Sequence, residues 1–174
     1  MSVVEVLCHE ITEADVRKIR ALSNDAQTGG GARDLRFSAQ FIPVLDRFFP
    51  SDVTYERNTP YRIGKFEHID AAGNKTIQQI RYAFQPTNAR PNEVRLAQIN
   101  KTELFSEIPD IEERDGLLFI ALIRRSDSMP QAQYLTQRQI SDPTSNETIS
   151  AAMDEAISNN KGNSAIVFSA ELRV

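Results

Sequence analysis

At 174 residues, 40% hydrophobic and 25% charged, the chain has the length and make-up of one globular domain; no run nears the roughly 18 apolar residues of a membrane span and no leader opens it, so a soluble, unexported protein is expected. One cysteine (Cys8) and two histidines (His9, His68) exclude an internal disulfide and leave too few ligands for zinc, so neither metal nor cofactor is expected. The formal charge of −4 conceals a division: residues 28–101 carry +4, residues 1–27 carry −2 and residues 102–174 carry −6, which suits a phosphate-facing surface or is chance unevenness in a mildly acidic chain.

Over residues 11–22, apolar side chains recur at near-helical spacing behind Thr12 as a candidate cap, which predicts a short helix or a bent lead-in strand. Residues 23–34 are polar, hold three consecutive glycines and read as a loop. Residues 41–49 set Val44, Leu45, Phe48 and Phe49 on one side of a helix that tolerates Pro43 in its first turn and ends at Pro50. Short β-type runs come next at residues 53–57, 60–69 and 75–84, with a hairpin turn over 70–74; another resumes at 93–99 after an interruption at 88–92. GLLFIALIRR, residues 116–125, is the most apolar segment and predicts a central strand covered on both faces. Residues 132–140 read as strand or helix. Asn146 then caps a helix with a stripe of Ile149, Met153, Ala156 and Ile157, Gly162 lies past its end, and residues 164–172 form a last strand. Seven or eight strands and two or three helices in non-alternating order predict an α+β fold over a single domain, residues 1–174, with a barrel-like or open curved sheet.

TGGGARD (residues 28–34) lacks the Gly-Lys-Ser/Thr of a Walker loop and the glycine spacing of a dinucleotide fingerprint, so on its own it is a flexible loop. The residues after the glycines are more informative. In an extended segment Asp34 and Arg36 share one side while Arg33 and Leu35 take the other, and arginine pairs bidentately with guanine while aspartate accepts from cytosine N4. A second cluster, Arg90, Asn92, Glu93 and Arg95, repeats that vocabulary, with Glu93 and Arg95 on one face of a strand; solvated ion pairs are the plainer reading of either cluster. Metal-dependent nucleases of the restriction type need an acidic-x-Lys pair, yet Val16, Ile63, Gly73, Ile99 and Asn159 stand two positions before the five lysines. His9 and His68 lack the context of a catalytic histidine and read as ordinary surface or half-buried residues. The acidic run over residues 108–116 reads as a solvated loop.

LSNDAQTGGG (residues 22–31), the arm through Arg36, RFFPS (47–51), YERNTP (55–60), NEVR (92–95) and GLLFIALI (116–123) stand in an order that resembles the amino-terminal effector-binding domain of EcoRII-type restriction endonucleases. The resemblance covers roughly residues 15–125 and rests on the order of weak motifs. That domain is similar to the DNA-binding pseudobarrel of plant transcription factors. The resemblance implies a seven-stranded open β-barrel with two or three short helices, whose two arms enter the major groove and read a short CC(A/T)GG-like site. It implies that Gly31, Ala32, Arg33, Asp34 and Arg36 correspond to the first arm and Asn92, Glu93 and Arg95 to the second, with Arg90 a looser match. A histidine and a tyrosine of the family's first arm appear here as Gly31 and Arg36, and a lysine of the second as Val94, which leaves the target sequence open.

The expectation is therefore a sequence-specific binder of double-stranded DNA in the bacterial cytoplasm. It performs no chemistry and serves a catalytic nuclease domain in the same or another chain. Arg62, Lys65, Arg81 and Lys101 would hold phosphates while the arms read base edges. The alternatives are a protein-binding or oligomerisation module and, more distantly, a small enzyme using the carboxylates of residues 107–115.

Overall fold

The computed structural model describes residues 3–16, 34–56, 58–97, 116–140, 147–160 and 165–173. Within them the β-branched and aromatic runs become nine strands: β1 (Val3–Glu10), β2 (Leu35–Ser38), β3 (Val53–Glu56), β4 (Thr59–Ile69), β5 (Lys75–Ala83), β6 (Glu93–Ala97), β7 (Leu118–Arg125), β8 (Gln131–Thr136) and β9 (Val167–Arg173). Residues 13–16 are helical. A 3₁₀ turn (Ala39–Phe41) leads into α1 (Ile42–Phe48), and α2 (Gln137–Ile140) and α3 (Glu147–Asn159) come later in the chain. None of these helices is long and apolar enough to cross a membrane.

All the strands join one sheet in the order β2-β6-β5-β4-β8-β7-β1-β9, with β3 on β4, and the sheet curls into a nearly closed barrel. The fold is α+β as expected. It has more strands than the seven or eight read from the sequence, or the seven the resemblance implies, and more than three helical pieces. The strands the sequence reading did not name are β2, whose residues were read only as an extended arm, and β1, which lies between β7 and β9 in the apolar half. Pairing is antiparallel throughout except where β4 meets β8, at Glu67↔Gln131 and His68↔Ala132.

Local chemistry sets the corners. Asp70 Oδ1 accepts from the amides of Ala72 (2.9 Å) and Asn74 (2.7 Å), and Gly73 sits at φ +86°, which closes the β4–β5 hairpin at the expected turn. The segment read as strand or helix is both, with the break at Thr136. Its Oγ1 accepts from the Gln139 amide (3.3 Å) while Gln139 Oε1 accepts from the Thr136 amide (2.8 Å), a capping box that starts α2. Thr12 and Asp15 form the same reciprocal pair at residues 13–16. Asn146, with residues 17–33, lies outside the described residues.

Two apolar clusters hold the fold. One fills the barrel, with Leu7, Phe37, Phe48, Phe49, Phe66, Tyr82, Leu96 and Ile120 among its members. The other lies on the outer side of β1, β7 and β9, where Val6, Cys8, Phe119, Ala121 and Phe168 meet Met153 of α3. Burial pushes the Cys8 thiol well above its ordinary value, so it stays protonated. The barrel tolerates Phe49 because residue 64 is glycine: a Cβ there would stand 2.7 Å from the Phe49 ring. At one barrel end Glu5 is buried, and Arg47 donates to both its oxygens (Nε at 3.0 Å) while Arg124 Nε donates at 3.4 Å.

Candidate nucleic-acid interface

β2 and β6 pair antiparallel in the register Leu35↔Leu96, Arg36↔Arg95, Phe37↔Val94, Ser38↔Glu93. Side chains alternate across a strand, and the buried Leu35, Phe37, Val94 and Leu96 take the barrel side. Asp34, Arg36, Glu93 and Arg95 are thereby sent to the outer side together. The two polar clusters, far apart in sequence, thus become one surface.

The charges on that surface are interleaved. Arg95 Nη1 donates to Asp34 Oδ2 at 2.9 Å across 61 residues of sequence. Glu93 Oε2 lies 3.3 Å from Arg90 Nη1 and 4.0 Å from Arg36 Nη1. Three guanidiniums therefore share two carboxylates. The Asp34 side chain is only 6% exposed against 30% for Arg95, so this pair is held more firmly than the rim pairs, which contribute roughly 0–1 kcal/mol each. Asn92 is exposed, and its carbonyl accepts from the Ala39 amide at 2.7 Å, which ties the start of β6 to the end of β2. Arg90 closes a tight turn on Thr87, whose carbonyl and hydroxyl accept from the Arg90 amide at 3.0 and 3.2 Å.

Arg81 and Lys65 extend the same surface. Arg81 pairs with Ala97 on β6 and with Ile63 on β4, Lys65 pairs with Gln79, and the intervening Ile80, Tyr82 and Phe66 are buried in the barrel. Arg81 lies over the Tyr61 ring at 5.7 Å. Arg36, Arg95, Arg81 and Lys65 therefore occupy one outer face across four adjacent strands, β2-β6-β5-β4. Arg62 does not. It stands opposite Tyr82 with its guanidinium 4.9 Å over the Phe84 ring, on the barrel-side alternation. Gly31, Ala32, Arg33 and Lys101 lie outside the described residues, as does the acidic run before Gly116.

The histidines depart from the reading of them as surface or half-buried. Both are buried. His9 sits where the barrel seam nearly closes: its Nε2 lies 3.0 Å from the carbonyl oxygen of Arg36 on β2 and its Nδ1 2.7 Å from that of Glu10. Burial pulls its pKa below the ordinary value, against the opposite pull of Asp15 and of the two carbonyls. A hollow of about 670 Å³ opens beside it, and Asp15, Asn160, Asp34, Arg36, Asn92 and Glu93 are among the residues that line it. Sequence reading missed His9, Asp15 and Asn160 as neighbours of Asp34, Arg36, Asn92 and Glu93; the single local signal was a histidine ending a β-branched run.

No family model and no curated protein matches this chain.

Proposed function

We propose that this chain is a recognition domain for double-stranded DNA, akin to the EcoRII-type effector-binding pseudobarrel, that reads base edges in the major groove. The observation that carries the reading is the juxtaposition of Asp34 and Arg36 with Glu93 and Arg95 on adjacent strands of one outer face. A guanine offers O6 and N7 as acceptors and its cytosine partner offers N4–H as a donor. An arginine beside a carboxylate is the complement of that pair. On binding, the ion pairs of the free protein exchange for contacts to one G·C pair each, so little charge is left uncompensated. Arg81 and Lys65 on the neighbouring strands hold phosphates and set register, and the arms supply sequence. Short CC(A/T)GG-like sites, rich in G·C pairs, fit this vocabulary. In this reading the chain catalyses nothing and delivers a nuclease domain, in the same or another polypeptide.

Titration of CC(A/T)GG and scrambled duplexes at two salt concentrations tests it. The expected result is a cognate preference that survives the higher salt, alongside non-specific binding that does not. Binding that is unmeasurable at low salt defeats the proposal and favours the protein-binding alternative, in which the same ion pairs only stitch β2 to β6.

A further inference from the structure

β4 touches β8 over just two residue pairs, at Glu67 and His68, and upstream of them it diverges from the β7–β8 turn. The wedge so opened is a hollow of about 500 Å³ between β4, the end of α1 and the turn after Arg125. Four cationic side chains line it: Arg47, Lys65, Arg124 and Arg125. Among the described residues their counter-charge is thin. Glu5 is shared between Arg47 and Arg124, with Glu171 and Asp46 also acting on Arg47 through space. Asp127, in the same turn, is not part of the lining. Lys65 makes no ion pair among the described residues, and Arg125 is bonded there to the neutral Gln131, Nη1 to Oε1 at 2.7 Å. Ser126 and Ser128 add hydroxyls to the lining, and neither has a side-chain partner among the described residues.

We propose that this hollow is an anion site that takes a phosphate group, with Lys65, Arg125 and the outward donors of Arg124 on the phosphate oxygens and the serine hydroxyls completing the shell. A cavity with cations on several walls suits a compact tetrahedral oxyanion, because guanidinium and ammonium donors converge on it from different directions. Glu5 has a separate task here: it holds Arg47 through Nε and Nη2 and Arg124 through Nε, which orients both before binding and lowers the cost of ordering them.

The phosphodiester backbone as source of that phosphate rests on the duplex reading above; the anion chemistry does not. From Arg95, the hollow is two strands away, about 10 Å, and four residues along, about 13 Å, or roughly 16 Å in all. That is about half of a duplex turn of roughly 34 Å, which sets the hollow at a flanking phosphate and outside the bases that are read.

The test uses the full chain, a variant lacking both Lys65 and Arg125 (K65A/R125A), and Lys75→Ala as a surface-lysine control. Arg47 and Arg124 are left in place because they neutralise a buried carboxylate. Inorganic phosphate is titrated while amide shifts are followed, and duplex binding is measured against salt. The expected result is phosphate-dependent shifts at Lys65, Ser126 and Ser128 that vanish in the double variant but persist in the control. The same variant should bind cognate and scrambled duplexes equally more weakly, with the salt slope lowered by about 2. If the duplex binds and the double variant keeps the wild-type slope, the hollow is overturned as a backbone site and base reading survives. If phosphate binds and the duplex does not, the anion site stands and the duplex reading falls. If neither binds, both fall.

Discussion

The barrel has two outer halves built on the same inner core, and they have opposite chemistry. On β1, β7 and β9 the outward residues are apolar, Val6, Cys8, Phe119, Ala121 and Phe168, and α3 covers them through Met153. On β2, β6, β5 and β4 the outward residues are mainly charged or polar, Arg36, Glu93, Arg95, Arg81, Gln79, Lys65 and Glu67, with Ile63 and the exposed Ile77 as apolar exceptions, and they alternate with a buried apolar set. The first half is needed to hold the sheet together. The second is relieved of that duty, since folding requires only that its inner side be apolar, and it is there that residues for recognition can gather.

Substitutions should separate the halves. Phe119 is fully buried and edge-on to Phe168 at 5.9 Å, so Phe119→Ala is expected to cost about 3–5 kcal/mol in chemical denaturation. Gln79→Ala on the open half should change stability by less than about 0.5 kcal/mol in the same assay. If the two came out equal, the division would be wrong. Gly64→Ala tests the barrel common to both: a methyl 2.7 Å from the Phe49 ring should cost roughly 1–3 kcal/mol, read as a lowered denaturation midpoint with an unchanged slope.

Arg95→Ala should weaken cognate duplex binding by about 1–3 kcal/mol and relax one base position, measured by competition among single-base variants of the site. An equal loss for every duplex would instead make Arg95 a phosphate contact. The pH-dependent effect belongs to His9, at the seam between the halves. Burial holds its folded-state pKa below the ordinary 6.5, so as the pH falls through that value the unfolded chain takes up a proton first. The stabilisation is fully present above about pH 6.5 and declines below it. The difference between the wild-type and His9→Gln stability curves should therefore be flat above that pH and slope below it; a difference that stays flat to pH 5 refutes the assignment.

How legible this was depended on sequence distance. The β4–β5 hairpin was readable because Asp70, Gly73 and Asn74 make a turn within five residues, and α1 because Pro43 and Pro50 bracket one apolar stripe. β7 and α3 declared themselves by an unbroken apolar run and by helical spacing. β1 did not, because its barrel-side positions include Glu5 and His9, whose compensation comes from Arg47, Arg124 and the Arg36 carbonyl, none of them local. The two polar clusters were readable as residue types, and alternation alone put Asp34 with Arg36 and Glu93 with Arg95. That the two pairs would share one ribbon is set by the β2–β6 register, and the basic wedge beside β4 by a parallel contact with β8; both are long-range pairings with no local sign.

In the proposed function the open half is the face that meets a duplex. Amide shift mapping of the full chain during titration with a duplex selected from a random pool tests it most directly. The largest changes are expected at Arg36, Glu93, Arg95 and Arg81, with α3 and β9 silent. Changes confined to α3, β1 and β9, or none at saturating duplex, would contradict it.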